Sequence, residues 1–243
     1  DVDVWLLRVE ATGSHALNSE VAAWLAAVWA LHRLNRGDPA AALERMDEAL
    51  RILGPDVGKN FWVSQWPIVA SQAHLWLDDA ASARGALAAA RVTVPPSTVV
   101  DSVRLPGLLA WAAVVEGELI EAEYQARLAT EAAESLELAP TNLGWVFPQL
   151  SLAAVARDRS DLGEAERLVM LASEGALVAG RPPTTMMCFL EQARLAWAGH
   201  RADEATAMLD RARRIMPAAT VAVRDHIDRV EARIAIDMGN PQA

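Results

Sequence analysis

The stretch Arg36-Gly37-Asp38-Pro39-Ala40-Ala41-Ala42-Leu43 decides the architecture of this chain. Before it, Val21, Trp24, Leu25, Val28, Leu31 and Leu34 recur at helical spacing, so residues 20–36 are expected to form an amphipathic helix. Gly37 suits the left-handed position that ends such a helix, Asp38 the N-cap of the next, and Pro39 its first turn. The second helix is expected over 40–53 and stops at Gly54-Pro55. One stretch thus folds two helices back on each other.

The same grammar returns along the chain. Residues 68–77 break at Asp78-Asp79 before a helix over 81–92, and 108–116 break at Gly117 before 120–138. Residues 149–159 break at Ser160-Asp161, where Asp161 and Glu164 form an approximate capping box. A helix over 190–198 breaks at Gly199 before 203–216. Pro55, Pro96, Pro140, Pro182 and Pro217 punctuate the units at a period of about 40 residues, the mark of a stacked-helix array. Small residues recur in the second helix of each unit, as in Ala42 and Ala49, Ala83 and Ala86, Ala122 and Ala129, Ala165 and Ala172, and Ala205 and Ala212. The fold class expected is all-α, an α-solenoid of five helix pairs plus a partial sixth. Residues 1–19 are expected to form an N-terminal helical segment that could end a preceding repeat, and residues 20–243 the array, truncated at its C-terminus. The last unit, 227–238 followed by Gly239-Asn240-Pro241, lacks its second helix, so a longer parent protein is expected.

These helix pairs resemble tetratricopeptide repeats. The likeness rests on residues 36–43, on Asp161-Leu162-Gly163-Glu164-Ala165-Glu166-Arg167-Leu168, and on Gly199-His200-Arg201-Ala202-Asp203-Glu204-Ala205. Their longer, degenerate period resembles the superhelix of MalT-like, LuxR-type ATP-dependent transcriptional activators. The resemblance implies a right-handed superhelix and a sensing role between a nucleotide-binding switch and a DNA-reading domain. Its implied partners are other domains of the same polypeptide and a small-molecule inducer or protein. The chain has neither a phosphate-loop motif nor a DNA-reading helix, so nucleotide hydrolysis and nucleic-acid binding are not expected of this segment.

Composition narrows the function further. Net charge is −10 with Lys59 the one lysine, a poor match to phosphate backbones. Hydrophobic residues reach 53%, enough for a large core, yet no apolar run approaches the length that spans a bilayer. The single Cys188 admits no internal disulfide and suits a reducing cytoplasm, and its apolar neighbours point to an inert core thiol. The five histidines show no metal-ligand spacing, so neither a metal nor another cofactor is expected. No nucleophile signature marks an enzyme. Seven glutamates between positions 116 and 137 against Arg127 alone suggest a solvated outer face, or else an acidic docking face.

Pro67, Pro106 and Pro148 fall at matching places in three successive units, each marking a bend or a helix start. Polar and aromatic residues cluster just before them. Either these aromatics pack between units, or they line a groove where indoles stack on a sugar or apolar ligand. In the groove, Asn60, Trp62, Gln65, Trp66, Arg104, Asn142, Trp145 and Arg181 are the candidate ligand- or partner-binding residues, with Trp62, Trp66 and Trp145 as the stacking rings. The leading expectation is a non-catalytic sensor solenoid of a larger bacterial regulator. The alternative is a general scaffold that holds an extended peptide on its concave face.

Overall fold

The computed structural model describes residues 6–8, 19–53, 66–93 and 99–237, and every regular element among them is helical. In chain order these are α1 (Ser19–Asn35), α2 (Pro39–Leu53), α3 (Trp66–Trp76), α4 (Ala80–Thr93), α5 (Leu105–Glu116) and α6 (Leu119–Ser135). They continue with α7 (Val146–Asp158), α8 (Leu162–Val178), α9 (Pro182–Ala198), α10 (Ala202–Ile215) and α11 (Val221–Asp237). Each odd-numbered helix up to α9 packs against the even-numbered one that follows it, and the pairs then contact their neighbours in order.

One backbone solution serves all five tight turns. A residue with positive φ ends the first helix of each pair: Gly37 (78°), Asp78 (57°), Gly117 (80°), Ser160 (62°) and His200 (59°). The next amide closes a wide loop back into the helix, as in Asp38 N–H to Arg33 O and Asp79 N–H to His74 O. Asp38, Asp79 and Asp161 then cap the following helix, accepting from the amides of Ala41 (3.2 Å), Ser82 (2.9 Å) and Glu164 (3.3 Å). At the fifth turn the left-handed residue is His200. Gly199 keeps an ordinary φ of −84°, so the break falls one residue later than the glycine suggests.

The alanine at the fourth helical position after each cap is fully buried: Ala42, Ala83, Ala122, Ala165 and Ala205. Seven residues further on, Ala49, Ala90, Ala129, Ala172 and Ala212 are equally buried. Ala90, not the half-buried Ala86, completes the second pair. These methyl-sized sites on one helix face let neighbouring backbones approach closely.

The prolines act in two ways. Pro67 sits at the second position of α3, where a missing N–H is harmless. Pro106 and Pro148 follow a π-helical turn (Val100–Arg104) and a 3-10 turn (Leu143–Trp145) that run directly into α5 and α7. A proline cannot continue the hydrogen-bond ladder, so the preceding turn takes another pitch. Gly107 permits this packing, since a Cβ there would sit 2.7 Å from Pro148 Cδ. Helix α9 starts at Pro182, eight residues before the expected 190. Pro182 and Pro183 form its first turn, a place prolines fit.

The two ends of the array meet. The Thr220 amide and hydroxyl both donate to Gly37 O, at 2.9 and 2.8 Å. On α11, Arg229 pairs with Asp78 at 2.6 Å, and His226 Nε2 lies 3.0 Å from Trp76 O. The turns of the first two pairs thus hold the last helix, and the chain closes around a common interior.

Ion pairs stitch neighbouring pairs on the outside. Arg84 binds Glu116 and Glu118, Arg159 binds Glu123, and Arg201 binds Glu166. Several glutamates of the acidic stretch are therefore used between helix pairs. Such exposed pairs contribute roughly 0–1 kcal/mol each and mainly keep register.

Candidate functional site

Closing the chain leaves space along its inner side. The first cavity, about 310 Å³, is walled by α1, α3, the turns before α5 and α7, and the start of α9. Its apolar wall is built from Trp24, Val28, Trp66, Val69, Trp76 and Phe147, with Met187 at its inner end. Trp66 and Trp76 are almost entirely buried, whereas Trp24 is 45% exposed and marks the solvent side. Polar residues line it at a few points: Asn35, Gln72, Thr184, Arg104 and Arg181.

Local structure places both arginines. Arg104 ends the π-helical turn that runs into α5, and it lines the cavity. Arg181 is the N-cap residue of α9, just after Gly180 turns the backbone with φ of 60°. Burial depresses the Arg104 guanidinium to about 10, and the nearby positive charge of Arg181 pushes the same way. Burial likewise lowers Arg181. Arg104 has further polar or electrostatic contacts of its own. Among the described residues, no aspartate or glutamate lines this cavity.

A second space of about 660 Å³ lies beyond Leu75, Trp76 and Met187, which line both. Its wall comes from the ends of α3, α5 and α7 and from α9 and α11. In its wall Glu191 is fully buried, accepting from Arg157 Nε at 2.6 Å and Arg194 Nη1 at 3.1 Å. Burial pushes this carboxyl up, but the charges of Arg194 and Arg157 outweigh it and hold it below the usual range. Trp197 Nε1 donates to Asp237 at 3.1 Å and ties α9 to α11. A lone glutamate inside the apolar helix α9 is the signal in the sequence that could have exposed this site.

Of the eight candidate residues, Trp66, Arg104 and Arg181 come together in the first cavity. Asn142 and Trp145 do not line it. The Asn142 side chain caps the 3-10 turn by accepting from the Gly144 amide at 2.9 Å. The Trp145 indole donates to Leu138 O at 3.3 Å and braces the same loop. Asn60, Trp62 and Gln65 lie outside the described residues. Trp24 was legible as an apolar stripe residue, yet only its convergence with Trp76 and Phe147 makes a pocket wall.

Cys188 is buried, and burial pushes its thiol up to about 12, which leaves it unreactive in the native fold. Among the described residues, no helix is long and apolar enough to cross a membrane. No protein-family model matches the chain, and no curated protein matches it either.

Proposed function

We propose that the chain is a tetratricopeptide-like right-handed superhelix serving as the non-catalytic sensing segment of a larger cytoplasmic bacterial regulator of the MalT-like kind. The recurring turn and the buried alanines support the repeat reading, since each pair carries alanine and, in most pairs, a larger apolar residue four places on. The observation that carries the sensing role is the first cavity: concave, mostly apolar, with a few convergent polar groups and a size suited to a small molecule. It is bounded by helices from distant parts of the chain, so an occupant would stiffen contacts between helix pairs and bias the neighbouring domains.

An extended-peptide scaffold needs an open inner face. Here α11 reaches back to Asp78 and Trp76 across that face, which weighs against this alternative. The test is to follow tryptophan emission and melting temperature during titration with a small-molecule panel and, separately, with extended peptides. Saturable quenching with a raised melting point for one small-molecule class supports the sensor. A response to peptides alone overturns it.

A further inference from the structure

We propose that the outer face of α6 docks a basic amphipathic helix of a partner protein, apolar ridge against apolar ridge and lysine or arginine against glutamate. No described residue of α6 lines either cavity, so this face works independently of a ligand in the first cavity.

Helix α6 has two faces of different fate. Ala122, Ala126, Ala129 and Ala133 are fully buried and seat it in the array. On the far side Ile120, Tyr124 and Leu128 are 86%, 57% and 40% exposed. Residues four apart stack along one helix face, so the three form an apolar ridge in solvent. Scattered apolar side chains on a surface are ordinary, whereas a run at helical spacing marks a contact.

Charge sits beside the ridge. Arg84, Arg127 and Arg159 already hold Glu116, Glu118 and Glu123. Glu131, Glu134 and Glu137 lie past Leu128, are exposed, and pair with no cation among the described residues. Glu131 follows Leu128 by three residues and so continues the ridge with a carboxylate. The helix ends at Ser135, where its last carbonyls add partial negative charge.

This combination selects the occupant. A second copy of the chain would set glutamate against glutamate, and a nucleic acid or anionic lipid surface would be repelled likewise. Among the described residues there is no strand edge, so an extended peptide finds no backbone to pair with. A helix satisfies its own backbone and can lay one ridge along another. Three apolar side chains make a small contact, so the association is weak and depends on charge.

Tyr124 is the one tyrosine of the chain, so fluorotyrosine labelling gives a single fluorine NMR signal that reads this face. The probe is a leucine–lysine amphipathic peptide matching the 17 residues of α6, and its leucine–glutamate counterpart is the control. The lysine peptide is expected to shift the tyrosine signal saturably and to lose affinity at high salt. Glu131→Gln combined with Glu134→Gln should weaken it about 3- to 10-fold, the sum of two exposed ion pairs. Asp203→Asn combined with Asp225→Asn removes the same charge from α10 and α11 and should leave the affinity unchanged. All four positions are exposed, so both variants are expected to fold. Binding that leaves the tyrosine signal unmoved, or that weakens equally in both variants, places the contact elsewhere and overturns the proposal. An equal response to the glutamate peptide overturns the basic partner, and no response to either peptide overturns the docking face. A tyrosine signal that moves with protein concentration alone assigns the face to a second copy and likewise overturns the proposal.

Discussion

Replacing Gly37 by alanine separates the closure of the chain from the strain of a turn. Gly37 and Gly117 occupy equivalent turns with φ of 78° and 80°. A left-handed alanine costs about 1–2 kcal/mol at either. The surroundings differ. A Cβ on Gly117 meets nothing within 4 Å, whereas on Gly37 it would sit 2.6 Å from Met216 Cε and 2.9 Å from Ala219 Cα. The methionine end can swing away, but Ala219 belongs to the loop whose Thr220 donates twice to Gly37 O. Overpacking of this sort adds roughly 1–3 kcal/mol. Gly37→Ala is therefore expected to cost about 2–5 kcal/mol and Gly117→Ala about 1–2. At roughly 2–4 °C per kcal/mol for a chain of this size, the two melting temperatures should differ by several degrees. Hydrogen exchange supplies the sharper readout: Gly37→Ala should accelerate exchange at the Thr220 amide, and Gly117→Ala should not. Equal losses of stability with unchanged protection at Thr220 would refute the closure.

Three further outcomes follow from buried and half-buried groups. Glu191→Ala removes the buried carboxylate that the half-exposed Arg157 and Arg194 share and should cost roughly 1–3 kcal/mol in urea unfolding. The Glu191 carboxyl is held below its ordinary 4.5, so its contribution is present above that pH and is lost as pH falls through the folded value. Burial lowers the His226 imidazole from 6.5 and prevails over the hydrogen bond to Trp76 O, which raises it. The unfolded chain therefore takes up this proton first, and stability should decline as pH drops below about 6.5. In His226→Gln that part of the melting-temperature slope should disappear. Trp145→Phe removes the bond to Leu138 O and should cost about 0.5–1.5 kcal/mol while the affinity of a small molecule that quenches tryptophan emission stays unchanged. A large loss of affinity would place Trp145 in the ligand site after all.

Much of the helical layout was legible because it depends on neighbours in the chain. Apolar stripes mark helix faces, and Gly37, Asp38 and Pro39 specify a turn through local φ preference and a side chain reaching its own backbone amides. Where local rules compete, the boundaries drifted. Pro182-Pro183 reads equally as a loop or a helix start, and the structure uses it to start α9. The turn at 199–200 seats histidine, not glycine, in the left-handed position.

The candidate site was legible in part, for the same reason. Polar residues beside aromatic ones are visible in a linear reading, but their direction is not. Asn142 and Trp145 turn to their own loop, where a nearby amide and carbonyl satisfy them at little entropic cost. Trp66, Arg104 and Arg181 line a shared space because the turns before α5 and at Gly180 bring distant segments together there.

By itself the sequence determined an all-helical chain of hairpins with a period near forty residues, since helix stripes, caps and small-residue faces act over a few turns. Only the tertiary structure decided that Gly37 meets Thr220, that Glu191 lies between two arginines, and that two other arginines share an apolar cavity. Those contacts join residues far apart in the chain. They depend on small rotations accumulated from one helix pair to the next, which no local pattern encodes.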